Sequence, residues 1–152
     1  MLRTVYLMAQ VPDHRRTRET SFGFAIQNIA RRLDAEMKRE LAEIDLDLKL
    51  FANLMVLAEE DNINQSEIGK RLNFPEYYTS RAVDALVEAG YVDRLPDPNS
   101  RRTNRIVLTK VGREKANQLP AIVQSVNERF QSNLNPEEQR TLMRLLGKLL
   151  TE

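Results

Sequence analysis

Apolar side chains at Phe22, Ile26, Ile29, Leu33, Met37 and Leu41 recur every three or four positions, which places one apolar stripe on a helix over 21–44. At ~1.5 Å per residue such a helix is about 35 Å long. That length outgrows the core of a small protein, so the pattern predicts a partner subunit. Leu50, Leu54 and Leu57 mark a second helix over 49–59. In "DNINQSEIGKRL", Asn64 is an N-cap and Glu67 follows at capping-box spacing, opening a short helix over 65–72 with Ile68 and Leu72 inward. Pro75 suits a helical first turn, so a new helix starts there and runs to Ala89, where Gly90 stops it.

After Gly90 the period changes. Residues 91–95 and 105–108 read as two short strands joined by a loop rich in Pro, Asp, Asn and Ser. Pro96 and Pro98 lack the N–H that a ladder needs, which assigns both to the loop. Thr109 caps the next helix, whose apolar positions are Val111, Ala116, Leu119, Ile122, Val123, Val126 and Phe130; Pro120 inside it predicts a kink or break. Asn135, Pro136 and Glu138 open a last helix with Leu142, Leu145, Leu146, Leu149 and Leu150 on one face.

The predicted chain is mainly α with a small β-hairpin. A helix-turn-helix followed by a hairpin is a winged helix-turn-helix, here framed by long N- and C-terminal dimerisation helices. The expected organisation is an N-terminal arm over 1–20, a DNA-binding lobe over 48–109, and a helical dimerisation region formed by 21–45 and 110–152.

Composition narrows the picture. A chain of 152 residues favours one domain with a real core, and 41% apolar with 30% charged residues is ordinary for a globular protein. There is no cysteine, which removes disulfides, thiolate nucleophiles and cysteine metal sites and fits a reducing cytoplasm. No apolar run approaches the ~20 residues of a membrane span. The first 20 residues carry a brief apolar patch followed by arginines instead of a small-residue cleavage site, so no signal peptide is expected.

Net charge is +1, but it is unevenly placed. Between residues 94 and 115 lie Arg94, Arg101, Arg102, Arg105, Lys110, Arg113 and Lys115 against only Asp97 and Glu114. This basic stretch coincides with the hairpin.

The second helix of the helix-turn-helix, "PEYYTSRAVDALVEAG", has two faces. Thr79, Ala82, Val83 and Leu86 fall together and face the core; Tyr77, Arg81, Asp84 and Glu88 lie opposite, flanked by Tyr78 and Ser80. Arg bonds guanine bidentately, and Tyr and Ser reach phosphates or base edges. The alternatives stay open at this level: half-buried tyrosines on an ordinary amphipathic surface, and Arg81 in an ion pair with Asp84 or Glu88.

Several pieces together resemble the MarR (multiple antibiotic resistance regulator) family of winged-helix transcription factors. They are Arg81, Val83, Asp84 and Leu86 on the second helix, Gly90–Tyr91–Val92 leaving it, Arg94, "DPNSRR" in the wing, and "LT" with Gly112 beyond. The resemblance extends from about Phe22 to the C-terminus. It implies an obligate homodimer on a pseudo-palindromic operator of double-stranded DNA. Together with the outward face of the second helix, it gives Tyr77, Tyr78, Ser80, Arg81, Arg94, Arg101, Arg102 and Arg105 as the expected DNA contacts. Arg102 falls where the family has the arginine of an Asp-x-Arg wing motif that enters the minor groove, whose narrow A·T-rich form attracts cations. Ser100 replaces the aspartate that braces that arginine, so a looser wing tip is expected, and either Arg101 or Arg102 inserts.

The resemblance further implies a small anionic aromatic ligand that releases a repressor, without identifying it or its site. Phe22, Ile26, Ile29, Phe51 and Met55 either line a ligand cleft or form core and dimer packing. No cofactor and no metal are expected: thiol-based peroxide sensing needs cysteine, and His14 is the only histidine. An enzyme is not expected, since no glycine-rich phosphate loop or nucleophile–base pair is present. Two other readings remain, a DNA-binding regulator with no small-molecule effector and a winged helix used for protein interaction.

Overall fold

The computed structural model describes residues 13–151. Its elements are α1 (His14–Thr20), α2 (Phe22–Ala42), α3 (Leu48–Glu59), β1 (Ile63–Asn64), α4 (Gln65–Leu72), α5 (Glu76–Glu88), β2 (Val92–Asp97), β3 (Ser100–Leu108), α6 (Lys110–Ala116), α7 (Leu119–Phe130) and α8 (Pro136–Leu150). The chain divides into two compact units at Arg32/Leu33.

In the first unit, α1 is a short helix within the stretch expected to form an N-terminal arm. Asp13 caps it, its carboxylate accepting from the Arg16 N–H at 2.9 Å, and no residue of α1 is buried. The first turns of α2 carry Phe22, Phe24, Ile26 and Ile29, all exposed.

In the second unit, Met37 and Leu41 at the end of α2 join Leu50, Leu54 and Leu57 of α3, Ile68 of α4, Val83 and Leu86 of α5, Ile106 of β3, Leu119 and Val126 in one core. Each large aliphatic side chain buried there contributes about 1.5–3 kcal/mol. Phe51 and Met55 pack against this core. Asn135 and Glu138 complete a reciprocal capping box at the start of α8. Pro120 does break the helix that the periodicity continued: α6 ends at Ala116, and Pro120 sits in the first turn of α7, where no N–H is required.

The hairpin differs from expectation in three ways. β2 and β3 are longer than the apolar alternation indicated, because their outer halves are polar and held by backbone pairing, from Val92↔Leu108 to Asp97↔Ser100. Pro96 belongs to β2, opposite Asn104, and not to the loop. The strand order β1-β3-β2 makes β2 an edge, so a residue without an N–H is tolerated there. A third strand, β1, pairs Ile63 with Ile106 and Asn64 with Arg105; two residues are too few to leave a period.

Two junctions fix the hairpin root. Asp61 accepts from the Leu108 N–H at 2.9 Å through Oδ1, and its Oδ2 lies 2.6 Å from Arg113 Nη2. Tyr91 donates its hydroxyl to the Asp45 carbonyl at 3.2 Å, while Lys115 donates to the Ile44 carbonyl. The end of α2, the hairpin root and α6 are thereby joined.

Candidate nucleic-acid interface

The turn between α4 and α5 is built from local chemistry. Asn64 caps α4 by accepting from the Glu67 N–H at 2.9 Å. Asn73 ends it at φ 52°, a left-handed conformation that asparagine tolerates better than most residues. Gly69 faces α5 so closely that a Cβ would stand 3.0 Å from Thr79 Oγ1. α5 therefore crosses α4 at short range, with Thr79, Ala82, Val83 and Leu86 buried beneath it as the sequence pattern required.

This burial turns the N-terminal half of α5 outward. Tyr77 is 66% exposed and Arg81 is exposed, with Ser80 half-buried between them. Tyr78 is held by an edge-on contact with Phe74, ring centroids 4.9 Å apart. Arg81 makes no ion pair among the described residues. Asp84, its nearest expected partner, is taken by Arg94 of β2. That pair ties the wing to α5 and sets a cation against the Asp84 carboxylate.

The wing arginines divide into two kinds. Arg105 points inward: its Nη1 donates to the Asn62 carbonyl at 2.9 Å and its Nε lies 3.3 Å from Asp97 Oδ1. The contact to Asp97 is electrostatic, because the N–H is not aimed well enough for a hydrogen bond. Arg102 is exposed and makes no ion pair among the described residues; its backbone N–H approaches Ser100 Oγ at 3.4 Å. Arg101 lies in β3, and its side chain is outside the described residues.

Sequence reasoning missed Asp97. Its side chain is only 8% exposed. Oδ1 accepts from the Asn99 N–H at 2.9 Å, and Oδ2 from the Thr103 hydroxyl at 3.3 Å. The Asn99 N–H above all, then Arg105 and Thr103, hold this carboxyl below its ordinary range against the cost of desolvation. An acidic brace is thus present in the wing, three residues before Ser100. Its signal in the sequence was "DPN", since Asp favours bonding the N–H two residues on.

Between α4, the start of α5 and the wing lies a polar groove of about 550 Å³, lined among others by Gln65, Lys70, Glu76, Arg94, Arg102 and Asn104. The structure thus brings Tyr77, Ser80 and Arg81 onto one helix face beside a hairpin that carries Arg102. Arg94 and Arg105 serve as internal ties.

Fold and site together define a winged helix-turn-helix protein. Residues 51–103 match the family model described as MarR family. The multiple antibiotic resistance protein MarR of Escherichia coli is 30% identical over 129 residues, 84% of this chain and 90% of the relative. A transcriptional repressor of the helix-turn-helix type from Mycobacterium tuberculosis is 24% identical over 131 residues, 86% of this chain and 94% of the relative. The crystal structure of a mutant E. coli MarR complexed with operator DNA superposes with a TM-score of 0.82 at 28% identity, covering 89% of this chain and 97% of that one. The chain belongs to the MarR family.

Proposed function

We propose that this protein is a homodimeric transcriptional regulator that binds a pseudo-palindromic DNA operator and acts as a repressor. The observation that carries the reading is the outward face of α5, with Tyr77, Ser80 and Arg81 left open by the burial of the opposite face, beside the wing and Arg102. Tyr77 and Ser80 suit phosphates and base edges, Arg81 suits guanine, and Arg102 suits a narrow minor groove. Arg94 and Arg105 support the reading as positioning residues, and Arg101 remains a second candidate for the minor groove. E. coli MarR, a relative of similar fold, is described in complex with operator DNA.

Dimerisation is supported by two exposed apolar surfaces, each within its own unit. One is Phe22, Phe24, Ile26 and Ile29 on α2, and the other is Leu142, Met143, Leu145, Leu149 and Leu150 on α8. Contiguous apolar surface of this kind marks a protein interface. No described helix is long and apolar enough to cross a membrane. A regulator of this kind works in the cytoplasm, without catalysis.

Release by a small anionic aromatic ligand has its own support. A cavity of about 410 Å³ is lined by Leu50, Ala82 and Ala85 together with Tyr77, Tyr78, Lys49, Arg81 and Asp47, whose Oδ1 already accepts from the Lys49 N–H. Apolar walls and two cations suit such a ligand, and one bound to Arg81 competes directly with DNA.

The test is DNA affinity against salt. A dimer contacting 6–10 phosphates loses roughly 10³–10⁵ in affinity between 50 and 200 mM salt. A flat response sinks the proposal. Small aromatic carboxylates should raise the melting temperature of the free protein and, added to the complex, release the operator; stabilisation without release removes the ligand half of the reading.

A further inference from the structure

Apart from the basic hairpin, the segment that carries the winged helix is rich in acidic side chains, and the chain's net positive charge lies before it. Residues 1–32 hold six basic and two acidic side chains, and residues 33–152 hold seventeen and twenty. The first segment is therefore +4 and the remainder −3, together the chain's +1. A body of net negative charge that approaches DNA is repelled at long range, whatever its local basic patch does close by.

Within the first segment, α1 reads HRRTRET. It has no apolar side chain and buries none of its residues. Seven residues are too few for a helix to persist in water on propensity alone, so α1 depends on its Asp13 cap and on the Arg15–Glu19 pair at 2.8 Å. Arg16 and Arg18 make no ion pair among the described residues. A helix with this surface cannot supply the apolar, aromatic-rich centre of a protein interface. It does match a line of phosphates, for which guanidinium is the preferred partner.

We propose that α1 is an auxiliary DNA-contacting segment whose arginines, Arg15, Arg16 and Arg18, bind backbone phosphates without reading sequence. The proposal rests on the DNA-binding reading above. Each protomer adds two unpaired arginines, and a third if Arg15 leaves Glu19 for a phosphate, so a dimer gains four to six contacts.

The experiment uses the full chain with Arg15, Arg16 and Arg18 all changed to Gln, and a second variant with all three changed to Lys. Because α1 buries nothing, both variants should fold, which circular dichroism and sedimentation check. At ~0.9 per phosphate, the slope of log affinity against log salt should shrink by about 4–5 in the Gln variant. Cognate and random duplexes should weaken by the same factor, leaving their ratio unchanged, since phosphate contacts carry no sequence information. The Lys variant should keep the wild-type slope. If the wild type binds DNA and the Gln variant keeps its slope, the proposal is overturned while the regulator reading stands. A Gln variant that dissociates into monomers overturns it in favour of docking on a second copy. If the wild type itself shows no salt-dependent binding, both readings fail.

Discussion

Replacing Gly112 with alanine tests how α6 is seated on the hairpin root. A Cβ built at Gly112 stands 1.9 Å from the Tyr91 carbonyl oxygen, 2.8 Å from its carbon and 3.1 Å from its Cα. All three are backbone atoms, so no rotamer change relieves the clash. Reaching ordinary contact means moving α6 or residue 91 by roughly 1 Å or more. Three hydrogen bonds lie in the way: Thr109 N–H to the Tyr91 carbonyl at 3.0 Å, Thr109 Oγ1 to the Gly90 carbonyl at 2.7 Å, and Gly112 N–H to Thr109 Oγ1 at 3.0 Å. Overpacking costs about 1–3 kcal/mol, and each weakened bond adds about 0.5–1.5 kcal/mol. Alanine's better helix propensity returns only about 1 kcal/mol. The net loss is about 2–6 kcal/mol, a fall in melting temperature of roughly 5–25 °C for a chain of this size. Gly147 is the control: it is also helical, and within its own protomer nothing lies within 4 Å of its Cβ position. Gly147→Ala should raise stability by about 0.5–1 kcal/mol. Both variants are melted by differential scanning calorimetry at one fixed concentration, because a dimer's midpoint depends on it. A Gly112→Ala midpoint at or above wild type would refute the close-approach reading.

Asp97→Asn should weaken DNA binding by loosening the wing, and adding Ser100→Asp to it should restore affinity; failure of that rescue removes Asp97 from its role as brace. Because the Asp97 carboxyl is held below its ordinary value, its contribution to stability is complete above about pH 4 and fades as pH falls through the lowered native value. Wild-type and Asp97→Asn melting curves should therefore differ at neutral pH and converge in acid. Asn53 is fully buried with neither Nδ2 nor Oδ1 bonded among the described residues, so the near-isosteric Asn53→Leu should gain about 1–3 kcal/mol, read by urea unfolding; a loss would reveal a partner for that amide. Arg81→Ala should cost about 1–3 kcal/mol on the cognate operator and relax preference at one base, measured by selection from random DNA; equal weakening on every sequence would make Arg81 a phosphate contact.

Most of the architecture was legible because it rests on periods and caps. The stripe from Leu33 to Leu41, the Asn64 and Asn135 caps, the Gly90 stop and the Pro120 break all act through neighbours a few residues away. Gly112 was legible as a motif position, and only the packing of α6 on Tyr91 gives the reason for it. What the sequence could not show depends on contacts between distant residues. Two residues of β1 have no period, and the polar ends of β2 and β3 pair through their backbones. Arg94 and Arg105 were indistinguishable from Arg102 by type. Only the fold reveals that Asp84 and Asp97 occupy the first two and leave Arg102 open.

The edge position of β2 has a consequence for solubility. A strand held out from the body with one side unpaired is a template for strand addition by another chain. Here Pro96 offers no N–H on that strand, the register slips between Pro96 and Asp97, and Asp93, Arg94 and Asp97 place alternating charge along it. These features guard against sheet-to-sheet association, so copies at high concentration stay apart instead of zipping together through their wings.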